Sequence, residues 1–216
     1  MHSPPAHAIS TSLLWCPSKV YKLTQWRHEI KGQWARDDPA FVLILCAWIA
    51  AAFVAYGFAL DGFQGIGTIL KHVIFGILTF FAVGAVAATV TSTIANNYFI
   101  SFHPHSVVQK VEWLYAFDVH CNAFVMFFGL VGVVQYLSLP LILSHGFFPA
   151  VAANSLYLAA GIAYINVTFL GYLALPFLNK EKVTALLYPA VLLIVLWTIA
   201  CMLKINAARS VLGMVF

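Results

Sequence analysis

The chain has 216 residues, of which 62% are hydrophobic and only 8% are Asp, Glu, Lys or Arg, and its formal net charge is +4. Soluble domains carry about 25% charged residues, so a chain this apolar does not have water as its main solvent. The basic residues are not gathered in a compact domain, which argues against a nucleic-acid footprint, and the scattered cysteines Cys16, Cys46, Cys121 and Cys201 suggest neither a disulfide framework nor a zinc motif.

From the N-terminus, residues 1–19 begin with a run rich in Ser, Pro, His and Ala, have little to bury and are expected to be a disordered tail. They lack the basic start and apolar core of a cleavable signal peptide, so the first span is expected to act as the insertion signal. Over residues 20–38 the apolar positions Val20, Leu23, Trp26, Ile30 and Trp34 recur every three or four residues, with Lys22, Arg27 and Lys31 between them. An apolar stripe carrying Trp beside basic charge suits an amphipathic helix lying in the membrane interface, and a short helix packed on the other spans gives the same stripe. Next comes the run Ala35-Arg36-Asp37-Asp38-Pro39-Ala40. Asp38 can cap free amides, Pro39 suits the first helical position, and the two carboxylates favour the positive end of a helix dipole.

Residues 39–203 read as a transmembrane domain. Spanning the hydrocarbon core takes about 20 apolar residues at about 1.5 Å rise each. Residues 40–60, 72–95 and 184–203 each meet that length. The longer run between Val119 and Asn179 breaks at Ser144-His145-Gly146 and Pro149, giving crossings at 121–143 and 151–175. Residues 44–53 and 82–90 are continuously apolar rather than alternating, which excludes a β-barrel and leaves helices as the way to satisfy the backbone in lipid. The expected fold is therefore all-α: a polytopic membrane protein, a bundle of five transmembrane helices preceded by an interfacial amphipathic helix. With the N-terminus in the cytosol, eight Lys and Arg fall on the cytosolic flanks and three (Lys71, Lys204 and Arg209) on the other side. The positive-inside rule favours that orientation and makes residues 204–216 a short lumenal tail.

Ionisable residues come closest to the membrane at the start of the third span, VEWLYAFDVHCNAF from Val111. On a helix, Tyr115, Asp118 and Asn122 share one face and His120 lies on another. Buried ionisable groups in lipid are costly and often mark a site. Three readings stay open. Glu112 and Asp118 can serve the helix N-terminus while Trp113 and Tyr115 anchor at the headgroups. Alternatively, Trp34, Arg36, Asp37, Asp38, Pro39, Glu112, Trp113, Tyr115, Asp118, His120 and Asn122 form a partner-binding surface. The third reading is a metal or catalytic site built from His103, His105, Asp118 and His120, for which no fixed zinc spacing appears. Polar groups inside spans two and four, such as Thr91, Asn154 and Tyr172, suit interhelical hydrogen bonds; the small residues of Gly84-x-x-x-Ala88 and Ala159-Ala160-Gly161 suit close helix approach. No nucleotide loop, nucleophile elbow, metalloprotease motif or internal repeat is present in the sequence. No catalytic residue, cofactor or metal is therefore expected.

Three motifs in order carry a family resemblance. They are Lys31-Gly32-Gln33-Trp34-Ala35-Arg36-Asp37-Asp38-Pro39-Ala40-Phe41, the third-span entrance from Val111 to Phe124, and Val167-Thr168-Phe169-Leu170-Gly171-Tyr172 with Ala174-Leu175-Pro176-Phe177-Leu178; Leu187-Tyr188-Pro189 fits as well. Together they resemble the Unc-fifty (uncoordinated-fifty) family of Golgi multi-pass membrane proteins. The resemblance implies five spans, a cytosolic N-terminus and residence in the Golgi apparatus membrane or early secretory membranes, with no enzymatic activity. It further implies a role in vesicle-mediated transport of receptor cargo to the cell surface and recruitment of an Arf guanine-nucleotide exchange factor. An inner nuclear membrane location and RNA binding are attributed to some members, and the loop 96–110 is less basic here than in the family, which argues against RNA binding. The alternative reading is a small transporter or lipid-handling protein, with a cavity lined by Tyr115, Asp118, Asn122 and Asn154.

Overall fold

A computed structural model describes residues 32–36, 39–62, 65–101 and 109–216. The expected disordered tail and most of the basic amphipathic segment lie outside the described residues, as do Asp37, Asp38, His103 and His105.

Among the described residues five helices are long and apolar enough to cross a membrane: α1 (Ala40–Leu60), α2 (Ile66–Phe99), α3 (Trp113–Leu137), α4 (Phe147–Leu173) and α5 (Lys180–Met202). After them comes a short helix, α6 (Ala207–Val215). The described residues are all-α, with an isolated backbone bridge that pairs Ile100 with Leu178. Helix α1 has 21 residues, or about 31 Å, enough for one crossing. Its cap position is occupied by Pro39, whose φ of −71° is already helical, one residue ahead of the place expected for it. The other helices differ more from the apolar runs. Helix α2 starts at Ile66 rather than 72, and α3 starts at Trp113 rather than 121 and ends at Leu137 rather than 143. Apolar content marks where lipid ends, whereas intrahelical hydrogen bonding continues into the interface until a breaker intervenes. After α3 those breakers are Ser138, which folds its hydroxyl back onto the Val134 carbonyl, and Pro140, which opens the single turn Leu139–Ile142.

Helix α3 is the centre of the bundle. It packs against α2 and α4, α1 leans on α2 and α3, and α5 rests on α4. None of the apolar window of α5 is buried, as expected for a helix bathed mostly in lipid. The two small-residue clusters lie at helix crossings. Gly84 and the fully buried Ala88 let α3 approach α2, so that a side chain at 84 would stand 2.7 Å from the His120 ring. Ala160 is fully buried, and Gly161 leaves space that Leu193 of α5 fills.

At the end where the chain enters α1, the connections are clasped by hydrogen bonds. Asn96 donates to the Val111 carbonyl (3.0 Å) and accepts from the Val111 amide (2.7 Å). The Ser101 and Asn179 amides cross-bond to Phe177 and Phe99 carbonyls, and the Asn179 side chain caps the start of α5 by accepting from Glu181 and Lys182 amides. The opposite end is closed by α6. Read only as a short tail, residues 204–216 instead form a docked element. A left-handed turn at Lys204 (φ 56°) reverses the chain, and Asn206 caps α6 by accepting from the Arg209 amide. Asn154 of α4 then holds both strands of the turn, donating to the Ile205 carbonyl (2.8 Å) and accepting from the Ala207 amide (2.9 Å). Removing it leaves a part-buried carbonyl and amide unpaired, each costing up to about 1–3 kcal/mol. Asn154→Leu is therefore expected to raise hydrogen exchange of the α6 amides at least tenfold while leaving α1 unchanged; equal exchange in both proteins would refute this role.

Candidate functional site

The polar cluster at the entrance to α3 is an ion pair bridging two distant parts of the chain. Arg36 Nε meets Asp118 at 2.9 Å, and Arg36 Nη2 donates to Asn122 Oδ1. The guanidinium also lies over the Phe41 ring, 4.1 Å from its centroid. The side chains of Arg36 and Asp118 are only 8% and 12% exposed, so the charges are held inside the protein rather than offered on its surface. The helical spacing of α3 makes this arrangement: Asp118 and Asn122, four residues apart, present two acceptors one turn from each other to one guanidinium fork.

Trp34 is buried beside the clamp, with its ring 6.5 Å from Tyr115 and 6.0 Å from Phe177. Tyr115 in turn donates to the Gly171 carbonyl at 2.7 Å. Tyr172 donates to Thr91, so α2, α3 and α4 are joined by polar contacts at one level. Of the residues singled out from the sequence, Trp34, Arg36, Tyr115, Asp118 and Asn122 come together and are largely shielded from solvent. His120 faces the other way, as its helical position predicts, with Nδ1 2.7 Å from the Tyr164 hydroxyl and the ring against Phe80 and Phe124. Glu112, Trp113 and Pro39 are exposed, and Trp113 donates to Thr89 at 3.0 Å. Among the described residues no three His, Cys, Asp or Glu gather as a metal site would require.

The bundle also holds a partly open apolar cavity of about 560 Å³. It is not lined by Tyr115, Asp118, Asn122 or Asn154, the residues the sequence suggested for such a space. The first three point instead toward the N-terminal segment and α4, and Asn154 is committed to α6. Its exposed surface is almost wholly apolar, although Tyr56, Thr79, His120, Gln135, Tyr157 and Tyr164 are among the lining residues, and α6 contributes Val211, Leu212, Val215 and Phe216. Gln135 carries no local signal in the sequence: it is a lone amide among apolar residues, about two turns inside the expected end of the third span at 143. The signal for α6 was present: Asn206 at a cap position, followed by Leu212, Val215 and Phe216 at helical spacing.

The model of the UNC-50 family matches residues 6–216. The chain belongs to the UNC-50 family. It is 40% identical over 202 residues to the protein unc-50 homolog of Dictyostelium discoideum, covering 93% of this chain and 76% of that protein. It is 39% identical over 196 residues to the rat protein unc-50 homolog (90% and 73%) and 38% identical over 196 residues to the human one (90% and 73%). No solved structure matches the chain. The UNC-50 match extends through both the Arg36–Asp118 clamp and the C-terminal helix, and these relatives do not carry enzyme names.

Proposed function

We propose that this UNC-50 family member is a non-enzymatic membrane scaffold of the Golgi apparatus, oriented with its N-terminus in the cytosol. It supports delivery of receptors to the cell surface by recruiting an Arf guanine-nucleotide exchange factor. The observation that carries the reading is the clamp. Arg36 ties the segment leading into α1 to the same end of the bundle at which Lys110, Glu112, Trp113, Lys180, Glu181 and Lys182 are exposed. A mixed-charge ring with an exposed Trp, next to a basic N-terminal arm at a membrane surface, suits a soluble partner held at the bilayer.

The burial of Arg36 and Asp118 divides the candidate residues by role: the clamp positions the arm, and the exposed ring makes the contact. Charge reversal at the ring (Glu112→Lys with Lys180→Glu and Lys182→Glu) is expected to reduce co-purification of an Arf exchange factor about tenfold at equal membrane levels. Equal recovery from wild type and variant would overturn the recruiting role.

A further inference from the structure

The cavity is a groove with one open side. Helices α2 and α4 both pack on α3 but scarcely on each other. Between them α3 presents a floor of Phe124, Phe127, Phe128 and Val131, which recur at helical spacing along one face. Phe75, Thr79 and Val83 of α2 form a rim. They line the groove, yet Phe75 and Val83 are about half exposed and Thr79 between them is exposed. All three lie within a spanning helix, so the open side faces the surrounding lipid. The hydrogen bond from Tyr172 to Thr91 ties α4 to α2 beyond one end of the groove. Helix α6 closes the other, where Phe216 stacks on Tyr56 with ring centroids 5.9 Å apart.

Three observations define the occupant. The first is the surface it would touch, which is almost wholly apolar and carries no Lys, Arg, Asp or Glu. The unpartnered polar atoms nearby, on His120, Gln135 and Tyr157, have almost no accessible surface. A group that needs a counter-ion or a hydrogen bond inside the groove is therefore excluded. The second is width. His120 and Gln135 both line the groove, fifteen residues apart on α3, so it runs about 22 Å along that helix. A volume of about 560 Å³ spread over that length leaves a mean cross-section of about 25 Å². One hydrocarbon chain has that girth, whereas an α-helix about 10 Å across needs about three times the area. The third is charge at the rim. The row Phe75, Thr79, Val83 steps by four residues, and the same step back from Phe75 reaches Lys71, exposed one turn beyond the groove. Lys71 stands at the α6 end, since its neighbour His72 packs on Phe216 with ring centroids 4.8 Å apart. An apolar space of this kind is not filled by water, and leaving it empty forfeits dispersion contact along its walls.

We propose that the groove holds one acyl chain of a bilayer phospholipid, the chain lying on α3 between α2 and α4 and the anionic phosphate beside Lys71. The lipid enters sideways, from the leaflet at the α6 end of the bundle, and its headgroup stays outside. Lys71 reaches that headgroup by extending its amine along the rim toward the membrane surface. The site lies away from the exposed charged ring and is independent of partner recruitment at the other end of the bundle.

The experiment uses the full chain in phosphatidylcholine nanodiscs doped with a phosphatidylglycerol that carries a diazirine on one acyl chain. Illumination is expected to attach the intact phospholipid to the floor of α3, between Phe124 and Val131. Thr79→Trp and Val83→Trp fill the opening from exposed rim positions and leave the core intact; each lowers floor labelling about tenfold. Leu78→Trp is the control, because Leu78 is 62% exposed on the same helix and does not line the groove; it leaves floor labelling unchanged. Lys71→Glu lowers it about threefold. The proposal is overturned if both rim variants label the floor like wild type, or if labelling falls only on outward-facing peptides such as those of α5, which is what loosely surrounding lipid gives. Displacement of the label by free fatty acid or by a sterol more strongly than by unlabelled phospholipid also overturns it. So does full labelling of Lys71→Glu, which would leave the phosphate without its place.

Discussion

Asp118→Ala is expected to destabilise the protein by about 3–5 kcal/mol, because it leaves the Arg36 guanidinium nearly buried with its counter-ion gone. For a chain of this size such a loss lowers the thermal midpoint by on the order of 10 °C. Arg36→Ala should cost a similar amount for the reciprocal reason. Removing both charges together tests the mechanism. An Arg36→Met, Asp118→Leu double variant should be distinctly more stable than the sum of the single effects predicts, since the cost lies in the orphaned charge rather than in the lost pair. Thermal unfolding in nanodiscs, followed by an intrinsic Trp signal, supplies all three values. Strictly additive losses would mean that the two residues do not act as a pair. The same variants should also loosen the segment before α1, because Arg36 joins it to α3 across 82 positions of sequence, beside the packing of Trp34 on Tyr115.

Gly84→Leu is expected to lower stability by about 2–3 kcal/mol despite replacing the poorest ordinary helix former with a good one. The propensity gain is about 1 kcal/mol. Against it, the Cβ alone would stand 2.7 Å from the His120 ring and 2.8 Å from Phe117, and the rest of the side chain would have to push α2 from α3. The His120 ring has little room to retreat, being held by Tyr164 and packed on Phe80. Gly67→Leu isolates the propensity effect, since nothing lies within 4 Å of a Cβ there. It should be neutral or slightly stabilising. Equal thermal midpoints for the two variants would show that the α2–α3 crossing does not depend on the missing side chain.

Much of the candidate site was legible in the chain. The period of α3 places Tyr115, Asp118 and Asn122 together and turns His120 away, and that is how they stand. Gly84, Ala88, Ala160 and Gly161 occur at the helix crossings their size suggests. The partner of Asp118 was not legible: Asp37, Asp38 and Arg36 form one charged run, and nothing local says that the arginine leaves it to reach a helix two spans later. The cavity was misassigned for the same reason. Tyr115, Asp118, Asn122 and Asn154 were expected to line it, yet Arg36 takes Asp118 and Asn122, the Gly171 carbonyl takes Tyr115 and the turn before α6 takes Asn154, and the lining falls mostly to apolar residues.

What the sequence determined by itself was the number of membrane-spanning helices and the places where polar groups enter the bilayer, because lipid imposes a fixed apolar length and a high cost for each charge, and both are local quantities. The tertiary structure decided which helices touch, where Arg36 and Gln135 end up, and that the last residues fold back as α6. Lipid is as apolar as a helix interface, so a spanning helix needs no amphipathic pattern to mark its packed side. Helix order and rotation are then set by shape and by a few long-range polar pairs, which exist only once the bundle has formed.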